Sequence, residues 1–342
     1  MKAARIHQHG SPEVLKYEDA PDPRIRADEV LIRVRACALN RLDLWVRKGL
    51  PGIQIPMPHV LGSDIAGEVI ETGELCERIK PGQRVLLSPG LSCRQCEQCL
   101  LGLDNQCRRY HLFGTAVDGG NCELLAAPEY AAIPIPDTLN FESAAAAPLV
   151  FLTAWHMLLT RARMEPGEDV LVLAASSGVG MAAVQIAKMF HSRVIATAGG
   201  DAKLAKAREL GADYAIDHYK QDIAAEVKKI TGKRGVDIVF EHVGEATWQK
   251  SLASLASNGR LVTCGATTGY DVKLDLRFLF SKQQSLLGSY MGTMGELHKV
   301  LKFVFNGTLK PVVDRVYPLS EITAAHRRLE NNEQFGKVVV TP

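Results

Sequence analysis

The sequence predicts an α/β protein built from a β-rich module and a doubly wound module with a parallel sheet. Over the first 130 or so residues, short runs rich in Val, Ile and Leu are bounded by Gly, Pro and Asp, which is typical of strands joined by turns. From about residue 148 onward, apolar strands and helices alternate, which predicts a parallel sheet with helices on both faces. A length of 342 residues suits one large domain or two of medium size.

The β-rich module is indicated by three segments that are expected to be strands, DEVLIRVRACAL, AGEVIETG and GQRVLLSPG. The last residues of the chain, GKVVVTP, return to β character. The C-terminus is therefore expected to complete this module. We expect the first module to span 1–148, completed by 288–342, and the second to span 149–287.

The second module opens with SAAAAPLVFLTAWHMLLTRARM, a segment of good helix formers with apolar spacing. Next comes DVLVLAASSGVGMAAVQIAKMF, which is a continuous apolar strand, a turn of small residues and a helix. The further strands are SRVIATAG, DYAID, VDIVFEHVG and GRLVTCGA, and the helices KLAKARELGA and ATWQKSLASLA lie among them. This order predicts successive strand–helix–strand units.

Composition and charge exclude several classes of function. The chain is 46% hydrophobic and 23% charged, with a net charge of +2, which is ordinary for a globular protein with sizeable cores. Its Lys and Arg residues form no basic block, so we expect no nucleic-acid partner. The N-terminus has no apolar segment of signal-peptide length, and no apolar run approaches the roughly 20 residues of a membrane span. We therefore expect a cytoplasmic protein with no membrane partner.

Cysteine spacing predicts a metal site. Half of the eight cysteines fall within 15 residues, at Cys93, Cys96, Cys99 and Cys107, and this is the spacing of zinc ligands. A secreted disulfide scaffold would be short and would have its cysteines spread along the chain. The cluster therefore favours metal binding, and four free thiols in a loop are the alternative.

The stretch VLVLAASSGVG is similar to the turn that binds the pyrophosphate of a dinucleotide. A buried strand is expected from Val170 to Ala174 and a helix after Gly180. The usual fingerprint has three glycines, for the tight turn, the approach of the pyrophosphate and helix–strand packing; here these places hold Ala175, Ser177 and Gly180. The pattern alone also fits an ordinary α/β turn. The strand and helix around it favour a cofactor site, because helix N-termini bind phosphate.

The next strand indicates which nicotinamide cofactor is bound. An NAD enzyme usually has an acidic residue near the end of this strand, where it accepts a hydrogen bond from the ribose 2′-OH. In RVIATAGGDAK that place is neutral through Gly199 and Gly200. A carboxylate would repel a 2′-phosphate, and Lys203 and Arg193 are nearby cations, so we predict NADPH. Asp201 lies only slightly downstream and is the feature that argues for NADH.

Together these features resemble the medium-chain dehydrogenase/reductase superfamily over nearly the whole chain. The resemblance rests on the four-cysteine segment and on GSDIAGEV, DGGNCELLAAPE, AASSGVG, ARELGADYAID and GRLVTCGATTG. It implies a GroES-like substrate domain, a Rossmann dinucleotide-binding domain, and a cleft between them for nicotinamide and substrate. It also implies that the four-cysteine segment is a structural-zinc lobe. Four thiolates leave zinc no open position, so this metal would hold a loop and do no chemistry.

The catalytic zinc of alcohol dehydrogenases in the superfamily has three ligand places that can be compared with this sequence. The first is a Cys three residues before an Asp, and here Asn40 precedes Asp43. The second is the His of Gly-His-Glu, where this chain has Ser63, and the third falls on Leu149. Zinc requires thiolate, imidazole or carboxylate ligands. We therefore predict that the protein works without a catalytic zinc.

This pattern resembles the quinone oxidoreductase branch of the superfamily. That resemblance implies hydride transfer from NADPH to a quinone or to the β-carbon of an α,β-unsaturated carbonyl. Hydrogen-bond donors must then stabilise the charge that develops on the substrate oxygen, and the catalytic candidates are Asn40, Ser63 and Asp64. Asp43 and Asp64 also have a structural alternative, in which they pair with Arg47 or with backbone.

Further site residues follow from the resemblance. Trp45, which is equally a core candidate, and Thr153 are expected in the substrate pocket, and Pro51 stands where Tyr is common in the branch. Lys203 and Tyr219 resemble contacts to a 2′-phosphate, and no proton donor other than water is assigned. The expected cofactor-binding residues are Thr153, Ser176, Ser177, Gly178, Val179, Gly180, Gly199, Lys203, Tyr219, Val243, Gly244, Gly265, Ala266 and Met291.

Several alternatives stay open at the level of the sequence. The chain could be a zinc-dependent alcohol dehydrogenase, for which Asp64, His59 and Cys37 would have to form an improvised site. It could also be an enoyl-thioester reductase, or a protein that binds NADPH without turnover. In each case we expect a small-molecule partner and a homodimer or homotetramer.

Overall fold

The computed structural model describes residues 1–50, 52 and 54–342. They form two compact units, one of Met1–Leu149 with Thr293–Pro342 and the other of Val150–Gly292. Pro51, named above for the substrate pocket, lies outside the described residues. Across these residues, no helix combines the length and the apolar character needed to cross a membrane.

The strands of the first unit range from 2 to 10 residues, and those of the second unit from 4 to 9. In chain order they are β1 (Lys2–Ile6), β2 (Leu15–Asp19), β3 (Glu29–Ala38), β4 (His59–Val60), β5 (Asp64–Thr72), β6 (Arg84–Leu87), β7 (Gly90–Leu91), β8 (His111–Leu112), β9 (Leu124–Pro128), β10 (Ala132–Pro134), β11 (Asp169–Val172), β12 (Arg193–Ala198), β13 (Tyr214–Asp217), β14 (Val236–Glu241), β15 (Leu255–Thr263), β16 (Ser285–Gly288), β17 (Val313–Pro318) and β18 (Lys337–Thr341).

The helices are concentrated in the second half of the chain. They are α1 (Arg41–Lys48), α2 (Glu97–Leu100), α3 (Phe141–Ala145), α4 (Pro148–Trp155), α5 (Gly178–Met189), α6 (Asp201–Glu209), α7 (Ile223–Ile230), α8 (Glu245–Ser254), α9 (Leu276–Ser281), α10 (Met294–Phe305) and α11 (Ile322–Glu330). A π-helical turn, His156–Arg161, continues α4.

The main sheet of the first unit runs in the order β10-β6-β5-β3-β18-β17, with β9 also paired to β3. Strand β18 is antiparallel to β3, with Val339 opposite Ala38 and Val340 opposite Cys37. The last strand of the chain is thus inserted beside one of the first. Its residues from Lys337 to Val340 are all buried. This register brings Lys337, at the start of β18, next to the residues that follow β3.

The second unit contains a six-stranded sheet in the order β13-β12-β11-β14-β15-β16, and every neighbouring pair is parallel. Counted from its own first strand the order is 3-2-1-4-5-6, which is that of a doubly wound sheet. The predicted parallel sheet is confirmed. Strand β11 ends at Val172, earlier than expected, because Ala174 already has a φ of 45°. Helix α5 begins at Gly178 because Ser177 caps it.

Candidate active site and metal centre

The four cysteines of the predicted metal site lie together in the first unit. Sγ of Cys99 lies 3.9 Å from Sγ of Cys93 and 3.6 Å from Sγ of Cys96. With Cys107, all four Sγ atoms lie within 4.8 Å of one another. Zn–S bonds of about 2.3 Å in a tetrahedron place the sulfur atoms roughly 3.8 Å apart. The cluster therefore fits a structural zinc ion.

The segment around this cluster has little apolar core of its own. Helix α2 buries no residue, and Leu100 and Leu101 are 77% and 65% exposed. Asp104 connects this segment to α10 of the first unit, because its carboxylate accepts a hydrogen bond from the N–H of Met294 at 3.0 Å. Apolar burial therefore contributes little here, and a metal that joins four side chains would supply the missing stabilisation.

Two thiols of the cluster differ in pKa when no metal is bound. The backbone N–H of Gln95 lowers the pKa of Cys93 to about 6, and burial raises the pKa of Cys99 to about 11. A coordinating metal deprotonates thiols outright. Among residues 1–50, 52 and 54–342, no second group of three His, Cys, Asp or Glu ligands comes together, so Cys37 and His59 do not join Asp64 in one.

Asn40 and Asp43 form the N-terminal cap of α1. The N–H of Asn40 donates to Oδ2 of Asp43 at 2.7 Å, and the N–H of Gly62 donates to Oδ1 at 2.9 Å. Burial raises the pKa of Asp43 to about 6. Asp43 is thus bound to backbone, which was one of its structural alternatives, whereas Arg47 pairs with Glu330 at 3.0 Å.

Asp64 is the centre of a buried polar network. Its Oδ2 accepts hydrogen bonds from Nδ2 of Asn40 at 2.9 Å and from Nζ of Lys337 at 2.8 Å. Its Oδ1 accepts one from the N–H of Leu149 at 2.8 Å, and Lys337 also donates to Oδ1 of Asn40 at 2.5 Å. Asp64 is fully buried and Lys337 is 2% exposed. The three segments whose residues 40, 63 and 149 were compared with zinc ligands therefore meet at the Asp64 carboxylate. The Lys337 ammonium is paired with this carboxylate.

Lys337 is the member of this network that sequence reasoning missed. It stands 297 residues from Asn40 in the chain, and the resemblance to known motifs does not include it. The signal that could have found it is a lysine directly before three valines in GKVVV. A lysine that enters a buried strand is almost never found without a partner.

Two other candidates of this region have local contacts. The hydroxyl of Ser63 donates to the carbonyl of Phe113 at 2.7 Å and is buried. Trp45 lies half-buried on α1. Nδ1 of His59 lies 3.3 Å from Oδ1 of Asp118. The roles of Ser63 and Trp45 in substrate binding stay predictions.

In the second unit, helix α5 begins within the predicted cofactor turn. Oγ of Ser177 accepts a hydrogen bond from the N–H of Gly180 at 2.9 Å. A Cβ at Gly180 would collide with the carbonyl oxygen of Ala174, so only glycine allows this close packing of helix and strand. The first N–H groups of a helix have no partner within it. The turn from Ser176 to Gly180 therefore fits a dinucleotide pyrophosphate.

The end of β12 joins three residues expected near the ribose phosphate. Gly199 lies against the ring of Tyr219, since a Cβ at this glycine would collide with the ring. The rings of Tyr219 and His218 have centroids 4.5 Å apart, and Tyr219 is 81% exposed. Burial lowers the pKa of His218; the charge of Asp217 opposes this shift, and the charge of Lys203 adds to it. An aromatic ring and a cation thus flank this glycine turn, and the carboxylate of Asp217, which pairs with Lys220 at 3.6 Å, lies beside Gly200.

Arg193, which was expected near the same phosphate, lies at the opposite end of β12. It is the first residue of the strand, beside Asp169 of β11, and its Nε donates to Oδ1 of Asp169 at 2.7 Å. Phosphates bind at the carboxyl ends of parallel strands. The expectation was wrong because a strand advances about 3.3 Å per residue, which places Arg193 far from Gly199.

A buried carboxylate fixes the loop after β14. Oε1 of Glu241 accepts hydrogen bonds from the N–H groups of Val243 at 2.6 Å and Gly244 at 2.9 Å. Its Oε2 accepts from the hydroxyls of Thr247 at 3.0 Å and Ser251 at 2.7 Å. Sequence reasoning missed Glu241, although an acid at the end of the apolar run VDIVF could have indicated it.

The loop fixed by Glu241 lies beside the turn after β15. Gly244 has a φ of 97°, and a Cβ there would press on the Cα of Ala266. The N–H of Thr268 donates to the carbonyl of Val243 at 2.8 Å. The structure thus brings Val243 and Gly244 next to the turn that contains Gly265 and Ala266.

Thr153 and Met291 form another neighbouring pair in the second unit. The hydroxyl of Thr153 lies 4.0 Å from Sδ of Met291, and both residues are buried. Their roles in cofactor binding, like those of the turn and loop residues above, stay predictions.

Comparison with known proteins identifies the family. Two family models match, the alcohol dehydrogenase GroES-like domain over residues 26–137 and the zinc-binding dehydrogenase over residues 178–306. The NAD-dependent alcohol dehydrogenase of Sulfolobus acidocaldarius is 32% identical, with 99% of each chain covered. The quinone oxidoreductase of Homo sapiens is 28% identical, with 99% of this chain and 97% of the relative covered. A crystal structure of an NAD-dependent alcohol dehydrogenase is 45% identical, with a TM-score of 0.97 and full coverage of both chains.

These likenesses define an oxidoreductase. The chain belongs to the medium-chain dehydrogenase/reductase superfamily, whose members bind NAD or NADP. The predicted fold class, a GroES-like domain with a Rossmann domain, is confirmed. The names of the relatives divide between quinone oxidoreductase and alcohol dehydrogenase.

Proposed function

We propose that the protein is an NADPH-dependent reductase of quinones or α,β-unsaturated carbonyls that works without a catalytic zinc. The polar network at Asp64 carries this proposal. The places of the catalytic-zinc ligands hold Asn40, Ser63 and Leu149, which offer no thiolate, imidazole or carboxylate. The neighbouring carboxylate of Asp64 is already paired with the Lys337 ammonium, and a second cation would have to displace it.

In the proposed reaction, the cofactor and two parts of the second unit have separate roles. Bound NADPH supplies the hydride. The N-terminus of α5, capped by Ser177, holds the pyrophosphate, and the loop fixed by Glu241 orients the nicotinamide end. A quinone or conjugated enone gives a delocalised anion on reduction, which hydrogen bonds can stabilise. Simple alcohols must instead pass through an alkoxide, for which a Lewis-acid metal is effective.

A substrate panel tests the proposed reaction. The purified protein is expected to oxidise NADPH with benzoquinones, naphthoquinones or conjugated enones, and to oxidise ethanol and benzyl alcohol slowly or not at all. Because no exchangeable metal takes part, a brief incubation with EDTA or 1,10-phenanthroline is expected to leave the rate unchanged. The decrease of NADPH absorbance at 340 nm measures all of these rates.

Each other outcome of the panel supports a different function. Efficient alcohol oxidation that chelators abolish would identify a zinc-dependent alcohol dehydrogenase. Reduction of crotonyl-CoA at a much higher kcat/KM than free enones would identify an enoyl-thioester reductase. Tight NADPH binding with no turnover on any substrate would identify a binding protein. Any of the three would overturn the proposal.

We propose NADPH as the cofactor because the residues that follow β12, Gly199 and Gly200, are uncharged, because Lys203 and Tyr219 flank them, and because Lys220 pairs with the nearby Asp217. Replacement of Lys203 by alanine is expected to weaken NADPH binding by roughly 10- to 100-fold, since a hydrogen bond between charged groups contributes about 1.5–3 kcal/mol. NADH lacks the 2′-phosphate, so its affinity is expected to stay within about twofold. Titration of nicotinamide fluorescence measures both dissociation constants.

Lys229→Ala is the matched control, because this lysine is 79% exposed on α7 and pairs with Glu226. It is expected to change neither affinity. Equal weakening of NADPH and NADH by Lys203→Ala would show that this lysine does not bind the 2′-phosphate. A wild-type protein that binds NADH more tightly than NADPH would contradict the cofactor assignment itself.

We also propose that the protein forms a homodimer or homotetramer. Strand β16 is the edge of the six-stranded sheet, and α9, just before it, buries no residue. Leu276, Phe278 and Phe280 of this helix are 62%, 58% and 72% exposed. Apolar groups exposed beside an unpaired strand edge are typical of an interface. A mass near 37.3 kDa in light scattering would contradict this assembly.

A further inference from the structure

The network at Asp64 contains one group whose hydrogens are not all used. Both amide hydrogens of Asn40 are engaged, one with Asp64 at 2.9 Å and one with a backbone carbonyl at 3.4 Å. The single hydroxyl hydrogen of Ser63 goes to another backbone carbonyl. Lys337 has three N–H bonds and, within the part of the chain that the structure describes, two acceptors, Asn40 and Asp64.

The orientation of Asn40 is fixed by its neighbours. Lysine only donates hydrogen bonds, and a carboxylate only accepts them. Oδ1 of Asn40 must therefore face Lys337 and Nδ2 must face Asp64, because the reverse placement would set donor against donor and acceptor against acceptor. Asn40 then has no amide hydrogen left for a substrate, although it was a catalytic candidate. Lys337 is the donor that remains.

We propose that the Lys337 ammonium stabilises the negative charge that develops on the substrate oxygen during reduction. This inference rests on the proposed function. The substrate accepts a hydride at carbon or quinone oxygen and becomes an enolate or a quinol anion, while NADPH becomes NADP⁺. A proton from water then completes the product. Lys337 would do by charge and hydrogen bonding what a Lewis-acid zinc does in zinc-dependent dehydrogenases.

The geometry suits this role in two respects. The ammonium is held at 2.5 Å by Asn40 and at 2.8 Å by Asp64, so it needs no reorganisation when charge appears, which is the condition for effective electrostatic stabilisation. It is also 98% buried, where water screens charge less than at the surface.

Replacement of Lys337 by methionine tests the proposal, since methionine keeps the unbranched side chain up to the ε position and lacks the ammonium. Turnover of quinones and enones is expected to fall by about 100-fold or more, the usual effect of losing one donor to a developing oxyanion. NADPH affinity is expected to stay within about twofold. Lys16→Met, at an exposed position of β2, is the control and is expected to leave turnover unchanged.

Chemical rescue and substrate dependence separate this role from a structural one. In Lys337→Ala, methylamine or ethylamine is expected to restore part of the turnover with saturation, because a small ammonium can enter the space left by the side chain. The loss in Lys337→Met is expected to be larger for enones than for quinones, since the charge of an enolate is less delocalised. An amine that only restored the partner of Asp64 would raise the turnover of enones and quinones by the same factor, so the difference between the two substrate classes identifies the electrostatic role.

The outcomes distinguish the two proposals. If the wild type reduces quinones or enones and Lys337→Met retains its turnover, the role of Lys337 is refuted while the proposed function stands. If the wild type reduces none of them, both proposals fail. If Lys337→Met does not fold, Asp64→Asn/Lys337→Met, which carries neither charge, replaces it. A folded double variant with turnover near wild type would also refute the role of Lys337.

Discussion

Replacement of Cys107 by serine is expected to remove one equivalent of zinc from the protein and to unfold segment 93–107. Cys107 is the buried member of the four-cysteine cluster. Structural zinc binds zinc-finger peptides with about 10–16 kcal/mol at pH 7, and loss of one of four thiolates removes a large part of such an energy. Leu100 and Leu101 are already exposed, so little apolar burial would hold the segment. Metal analysis and limited proteolysis measure the two effects.

Cys76→Ser provides the control for this experiment. Cys76 lies outside the cluster, and its thiol donates to the carbonyl of Glu29 at 3.2 Å, a bond that a serine hydroxyl can replace. This variant is expected to keep one equivalent of zinc and to resist proteolysis between 93 and 107. A Cys107→Ser protein with a full equivalent of zinc, or a stable wild type that never contains zinc, would contradict the structural-zinc assignment.

The parts of the site that the sequence predicts well are those made by neighbours in the chain. Cys93, Cys96 and Cys99 come together because their spacing matches the turns of one short segment. The turn that ends at Gly180 is likewise local, because a strand, a tight turn and a helix follow directly. In both cases the pattern of a few residues determines the geometry, and distant parts of the chain do not alter it.

The parts that the sequence does not reveal depend on pairings between distant strands. Lys337 meets Asp64 only because β18 is inserted beside β3, and no periodicity within either strand indicates this partner. Arg193 was misplaced for a related reason, since its distance from Gly199 depends on the direction and length of β12. Glu241 is a third case. Its carboxylate binds the backbone N–H groups of the following loop, and these groups adopt their positions only in the folded protein.

The same long-range contact is expected to contribute strongly to the stability of the first unit. Asp64→Asn leaves the Lys337 charge buried without a counter-ion. Lys337→Met likewise leaves the Asp64 carboxylate buried without a counter-ion. Breaking a buried ion pair from one side typically costs about 3–5 kcal/mol. The double variant removes both charges, so its loss of unfolding free energy is expected to be smaller than the sum of the two single losses by about 1–3 kcal/mol.

These free energies are measured by unfolding the protein in urea and detecting the transition by hydrogen exchange. Peptides from β3 and β18 report on the first unit. The ion pair of Arg35 and Glu68 provides the control cycle, because its side chains are 44% and 34% exposed at a distance of 3.1 Å. An exposed pair of this kind is expected to show a coupling of only about 0.2–1 kcal/mol. Additive effects at Asp64 and Lys337, within about 0.5 kcal/mol, would mean that the two charges do not stabilise each other. The ammonium would then have no fixed counter-ion, and the electrostatic role proposed for it would lose its physical basis.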